Sequence, residues 1–121
     1  MKSLAVWAAI VAMGVPAVAA ADDPAGGWKV NGKVDGKDFV ITCHFDRRGD
    51  SLSGACFDGG TNLKHPLESG TVSGDQIKWT YQSHYLLVKF DVTYAGKLTG
   101  GAMRGAISAA GHNGTFTGAK E

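Results

Sequence analysis

Beyond its first twenty residues, this 121-residue chain has no apolar run of membrane-spanning length, no block of like charge and no credible helix. The first absence leaves no transmembrane helix in the body of the chain. The second disfavours a nucleic-acid partner, because phosphate binding needs concentrated positive charge. Proline is scarce, with 3 residues against 18 glycines, which points to turns and close backbone contacts. Motifs of chemistry are missing as well. No serine sits in a Gly-x-Ser-x-Gly elbow, no paired carboxylates share an evident cleft, and no cofactor fingerprint is present. The four histidines, His44, His65, His84 and His112, match no standard zinc spacing. These absences argue against an enzyme.

The first twenty residues read differently. Lys2 supplies a positive start, Leu4 to Val15 is apolar and uncharged, and Ala17-Val18-Ala19 is a small-x-small cleavage signal. The stretch is too short for a span and reads as a secretory signal peptide over residues 1–20, followed by one domain over 21–121. No cysteine at the cleavage point suggests a lipid anchor. The expected location is therefore the periplasm or the extracellular space. Loss of Lys2 from 12 basic residues leaves 11 against 11 acidic ones, a neutral mature chain. In an exported chain the 2 cysteines favour a disulfide over free thiols.

What the chain does contain is a repeated turn. Val72-Ser73-Gly74-Asp75-Gln76-Ile77 recurs as Leu98-Thr99-Gly100-Gly101-Ala102-Met103 and, degenerately, as Arg47-Arg48-Gly49-Asp50-Ser51-Leu52. Gly-Asp or Gly-Gly between alternating runs reads as a two-residue hairpin loop. Asp35-Gly36 is another. Alternation is clear in Trp28 to Val34, Phe39 to Asp46, Gln76 to Gln82 and Leu86 to Tyr94. Phe57 to Pro66 reads as a loop, and a last strand carries Phe116. The expectation is an all-β, antiparallel up-and-down meander of about eight strands, closed into a calycin-like barrel in preference to a sandwich. Closure also removes exposed strand edges.

Each hairpin loop fixes a register. The Gly49-Asp50 loop sets Cys43 opposite Cys56 on a non-hydrogen-bonded rung, where Cα atoms lie about 4.5 Å apart, at the near edge of disulfide range. Turn and cysteine spacing thus agree on a cross-strand disulfide, a structural staple contributing about 2–3 kcal/mol. The same arithmetic sets Phe45 over Gly54, Phe39 over Gly32 and Trp79 over Gly70. Rings covering bare glycine backbone are a packing device.

From Glu68 to Lys120 the chain resembles a family of small exported bacterial β-domains of unassigned role, some of them fused to secreted amidohydrolases. The carriers are Gly-Thr-Val-Ser-Gly-Asp at 70–75, Thr93-Tyr94-Ala95-Gly96, Thr99-Gly100-Gly101 and Gly-Thr-Phe-Thr-Gly at 114–118. These are turn and packing residues, so the resemblance implies a fold and no catalytic residues. The cysteine pair and Lys97-Leu98 depart from the family pattern.

Function then lies in what the inner face encloses or the outer face touches. Trp28, Trp79, Tyr81, Phe90 and Tyr94 share the inner face and are candidates to line a pocket for a small apolar or amphipathic ligand. A filled core in an accessory module is the alternative. In strict register Glu68 points inward opposite Tyr81, where it would anchor a ligand's polar end. A bulge before Gly70 would instead turn it outward and Leu67 inward, and is favoured because Leu67 otherwise faces water. The same strict register places His65 opposite His84 on the outer side, a weak candidate for metal.

Overall fold

A computed structural model describes residues 23–121; the expected signal peptide lies outside the described residues. Eight strands follow in chain order: β1 (Gly26–Val34), β2 (Lys37–Arg48), β3 (Ser51–Asp58), β4 (Lys64–Ser73), β5 (Gln76–Tyr85), β6 (Val88–Thr99), β7 (Ala102–Ala109) and β8 (His112–Lys120). Each pairs antiparallel with the next, and β1 pairs with β8, so the sheet closes into a barrel. No helix occurs among the described residues.

The hairpin registers follow from the turns. Cys43 faces Cys56, Phe45 faces Gly54, Phe39 faces Gly32, Trp79 faces Gly70 and Leu98 faces Met103. Cys43 and Cys56 form a disulfide across a Cα separation of 4.0 Å. A Cβ on Gly32 would overlap the Phe39 ring, and one on Gly96 would press on Phe116. Ring-over-glycine packing therefore lets the sheet bend tightly enough to close.

Antiparallel order puts alternate turns at opposite ends of the barrel. One end carries the Gly49-Asp50, Gly74-Asp75 and Gly100-Gly101 turns with both ends of the described residues. This end is closed. Pro24 is fully buried, and its carbonyl accepts a 2.8 Å hydrogen bond from Trp28 Nε1. Lys120 Nζ donates to the Asp23 carbonyl at 2.9 Å. The segment leading into β1 is thus pinned across the barrel floor. Leu52, Val72, Leu98 and Met103 form a buried layer behind it.

The middle layer is aromatic. Trp79 stacks on Tyr94 with centroids 4.6 Å apart, and Phe45 and Phe116 meet Trp79 edge-on at 5.0 and 5.4 Å. Offset-stacked and edge-to-face pairs contribute about 0.5–1.5 kcal/mol each beyond burial. This half of the barrel is filled.

Three local expectations need correction. Residues 57–66 are not one loop: only 59–63 are loop, and Pro66 lies within β4 beside a register shift, where a missing ladder donor is tolerated. Leu86 is not an inner-face strand residue but sits in the β5–β6 turn with φ 58°. The third correction concerns His65, expected on the outer side, and moves the site.

Candidate functional site: a cup at the open end of the barrel

The β4–β5 register shifts between Leu67↔Tyr81 and Ser69↔Thr80, leaving Glu68 as the extra residue. Of the two placements of Glu68, the favoured one therefore holds and the strict-register, inward one does not: the bulge turns it to solvent, while Leu67 packs against the core. Burial of the apolar neighbour decides which way the strand rolls. On the outer wall Glu68 meets Asp91. A hydrogen bond shared with that carboxyl, then desolvation and the charge of Asp91, raise its pKa above the ordinary carboxylate value.

The bulge also inverts the histidines. His65 leaves the outer face and enters the barrel, only 6 % exposed and opposite Cys56. His84 stays outside, opposite Lys89. The two cannot share a metal, and no group of three potential ligands lies together among the described residues. Inside, His65 Nε2 lies 3.1 Å from Asp58 Oδ1, and its ring stacks on Tyr81 at 4.8 Å. Tyr81 Oη in turn meets Tyr94 Oη at 2.7 Å. Asp58, His65, Tyr81 and Tyr94 thus form a continuous polar layer on top of the aromatic one.

Above this layer the barrel opens. A cavity of about 500 Å3 has Asp58, Tyr81 and Tyr94 at its base and Val34, Phe39, Val92, Ile107 and Ala109 on its walls. A second cavity of about 820 Å3 shares Val34, Phe39 and Ala109 and extends the space outward past Phe90 to Tyr85 and Val88. The rim is held by local pairs, His112 Nδ1 with Asp35 at 2.6 Å and Lys33 with Asp38 at 3.7 Å. The Asp58 carboxylate is 38 % exposed and keeps Oδ2 for a further contact.

Both tyrosines hold their protons tightly. Burial raises Tyr81 to about 12, with the Asp58 charge adding to it and the bond to Tyr94 opposing it. Burial raises Tyr94 further, reinforced by Tyr81 and Asp58. Near neutrality both are hydroxyls, able to donate and accept but not to act as bases.

Among the six candidates for lining, Tyr81 and Tyr94 stand at the base of the cup and Phe90 on its outer extension. Trp28 and Trp79 belong to the filled lower half, and Glu68 is outside. No family model, curated protein or solved structure matches the chain. Two residues of the polar layer, Asp58 and His65, were not placed inside the barrel from sequence. Asp58 was within reach, because the register that pairs Cys43 with Cys56 also pairs Ile41 with Asp58 and so puts it inside. His65 needed the bulge, which Leu67 favours by its apolar character but whose consequence two residues earlier in the strand was not carried through.

Proposed function

We propose that this protein is a non-enzymatic, exported β-barrel that binds one small amphipathic molecule in the cup. The apolar part lies against Val34, Phe39, Val92 and Ile107, and the polar end reaches Asp58 and the tyrosine hydroxyls. The observation that carries this reading is the division of the barrel: a filled, capped lower half and an open upper half separated by a polar layer. A volume of about 500 Å3 is of the size small-molecule sites have, and an eight-stranded interior holds one such ligand. Apolar walls with a few convergent polar groups fix both affinity and orientation. Several features favour binding over catalysis. Both cysteines are committed to the disulfide, both tyrosines stay protonated, and the ring of His65 is tied to Asp58 and Tyr81. The intramolecular disulfide fits an oxidising compartment, and the turn signature from Glu68 onward supports kinship with small exported β-domains.

The test is native mass spectrometry on protein purified without denaturation, joined to titration with anilinonaphthalene sulfonate. The expected result is a retained small mass or saturable, one-to-one probe binding that Ala109→Trp, which plugs the cup, abolishes without unfolding the barrel. No retained mass, together with probe binding that is absent or unchanged by the plug, would instead favour a structural module.

A further inference from the structure

The five two-residue turns other than β5–β6 all contain glycine. In three of them, Gly49-Asp50, Gly74-Asp75 and Gly100-Gly101, the first position has φ of 61°, 60° and 64° and is glycine. That left-handed conformation suits a residue without Cβ, and glycine at the first central position is the rule for this turn. The β5–β6 turn has the same geometry, with φ 58° at its first position, but the residue is Leu86. Leucine is held there against the local preference of the backbone. Its neighbours deepen the anomaly: Tyr85, Leu86, Leu87 and Val88 are 73 %, 78 %, 98 % and 66 % exposed. Four consecutive large side chains are thus presented to solvent at a hairpin turn. Nothing in the fold requires them, because the other five two-residue turns close with glycine beside aspartate, alanine or a second glycine. Exposed apolar clusters of this kind mark interaction sites.

We infer that the Tyr85–Val88 tip inserts into the headgroup region of an anionic lipid surface and docks the open end of the barrel against it. Three observations favour lipid over a flat protein partner. The exposed apolar residues are four in succession at one two-residue turn, a small surface that penetrates an interface more readily than it forms a broad contact. Tyrosine at its base is the residue type that settles at the membrane–water boundary. Lys89, next to the tip, and Lys37, across the outer cavity from it, make no ion pair with any described residue. Unpaired lysines beside an apolar anchor complement anionic headgroups. The apolar outer cavity runs from Tyr85 and Val88 back toward the cup, so docking would put a continuous apolar path between the surface and the interior. The docking itself stands whether or not the cup carries a ligand.

The experiment is co-sedimentation of the whole domain with vesicles of equal parts phosphatidylcholine and phosphatidylglycerol, and with pure phosphatidylcholine vesicles. Binding to the mixed vesicles is expected to exceed binding to the neutral ones and to weaken as salt rises. Leu86→Gly with Leu87→Ser restores the turn chemistry used elsewhere in the barrel. It should lower vesicle partitioning by at least about tenfold, from the apolar area withdrawn, while the variant melts at or above the wild-type temperature. Lys37→Ser and Lys89→Ser should each reduce binding to the anionic vesicles by about fivefold, and Lys89→Ser should leave the cup's probe binding intact. The inference is overturned if the wild type sediments with neither vesicle, or if the turn variant binds as well as the wild type. It is equally overturned if sedimentation velocity shows a dimer that the turn variant dissolves while vesicles capture nothing, since the tip would then meet a second copy of the chain.

Discussion

Tyr81→Phe is the most informative perturbation of the polar layer. It deletes the hydroxyl that Tyr94 Oη meets at 2.7 Å. Tyr94 is 0 % exposed, so its hydroxyl loses its partner without gaining water, a cost of about 1–3 kcal/mol. Tyr94→Phe orphans Tyr81 instead. Tyr81 is nearly as buried, 4 % exposed, so the cost should be comparable, about 1–2 kcal/mol. The double variant has no hydroxyl left to satisfy and keeps both rings in the aromatic stack. Its stability should return to within about 1 kcal/mol of wild type, giving a coupling energy of about 1–3 kcal/mol. Urea unfolding measures this, with the midpoint moving at constant slope. In a domain of this size about 1 kcal/mol shifts Tm by roughly 4–8 °C, so the single variant Tyr81→Phe should melt visibly lower. Additive single effects, or a double variant less stable than Tyr81→Phe, would refute the reasoning, because the two hydroxyls would then not be each other's partners.

The same tyrosines set a pH dependence. Unfolded tyrosines titrate near 10, whereas folded Tyr81 titrates near 12 and Tyr94 is also raised. Their stabilising contribution is present in full below pH 10 and is lost as pH climbs toward 12, by about 1.4 kcal/mol per pH unit for each tyrosine; denaturation of the double Phe variant across this window should show a flatter slope. Reduction of Cys43–Cys56, which spans a sequence separation of 13, should cost about 3 kcal/mol, and a calorimetric Tm unmoved by reductant added to the unfolded chain would contradict a stapling role. Gly105→Ala should destabilise by about 1–3 kcal/mol or more, since its Cβ would overlap the Ala95 carbonyl oxygen. Gly60→Ala meets no atom within 4 Å and should change the urea midpoint little.

Much of the barrel was legible because two-residue turns transmit their register along entire strands. From Gly49-Asp50 alone came the Cys43–Cys56 disulfide and the Phe45–Gly54 contact; from Gly74-Asp75 came Trp79 over Gly70. Each ladder is a sum of local steps, so a turn predicts partners until an extra residue intervenes. That residue is Glu68. Beyond it the count slips by one, and a one-residue slip exchanges the faces of a strand. His65 therefore passed from an outer position to the polar base of the cup, and Glu68 passed the other way. The site was obscured by the one step of β4 that no turn controls. Leu86 was misplaced for a different reason. The Leu86-Leu87 turn lacks glycine, asparagine and aspartate, so it carries none of the chemistry by which turns are recognised. In both places local preference is overridden, and both lie at the open half of the barrel.

In the proposed function the upper half of the barrel receives a small amphipathic molecule while the lower half is filled. Proton–nitrogen NMR, with anilinonaphthalene sulfonate titrated into the whole domain, tests this residue by residue. Saturable shifts should concentrate at Val34, Phe39, Asp58, Tyr81, Val92, Ile107 and Ala109 and leave Trp28, Leu52, Val72 and Met103 unmoved. Shifts that are absent, that fail to saturate, or that fall equally on the closed end would contradict it.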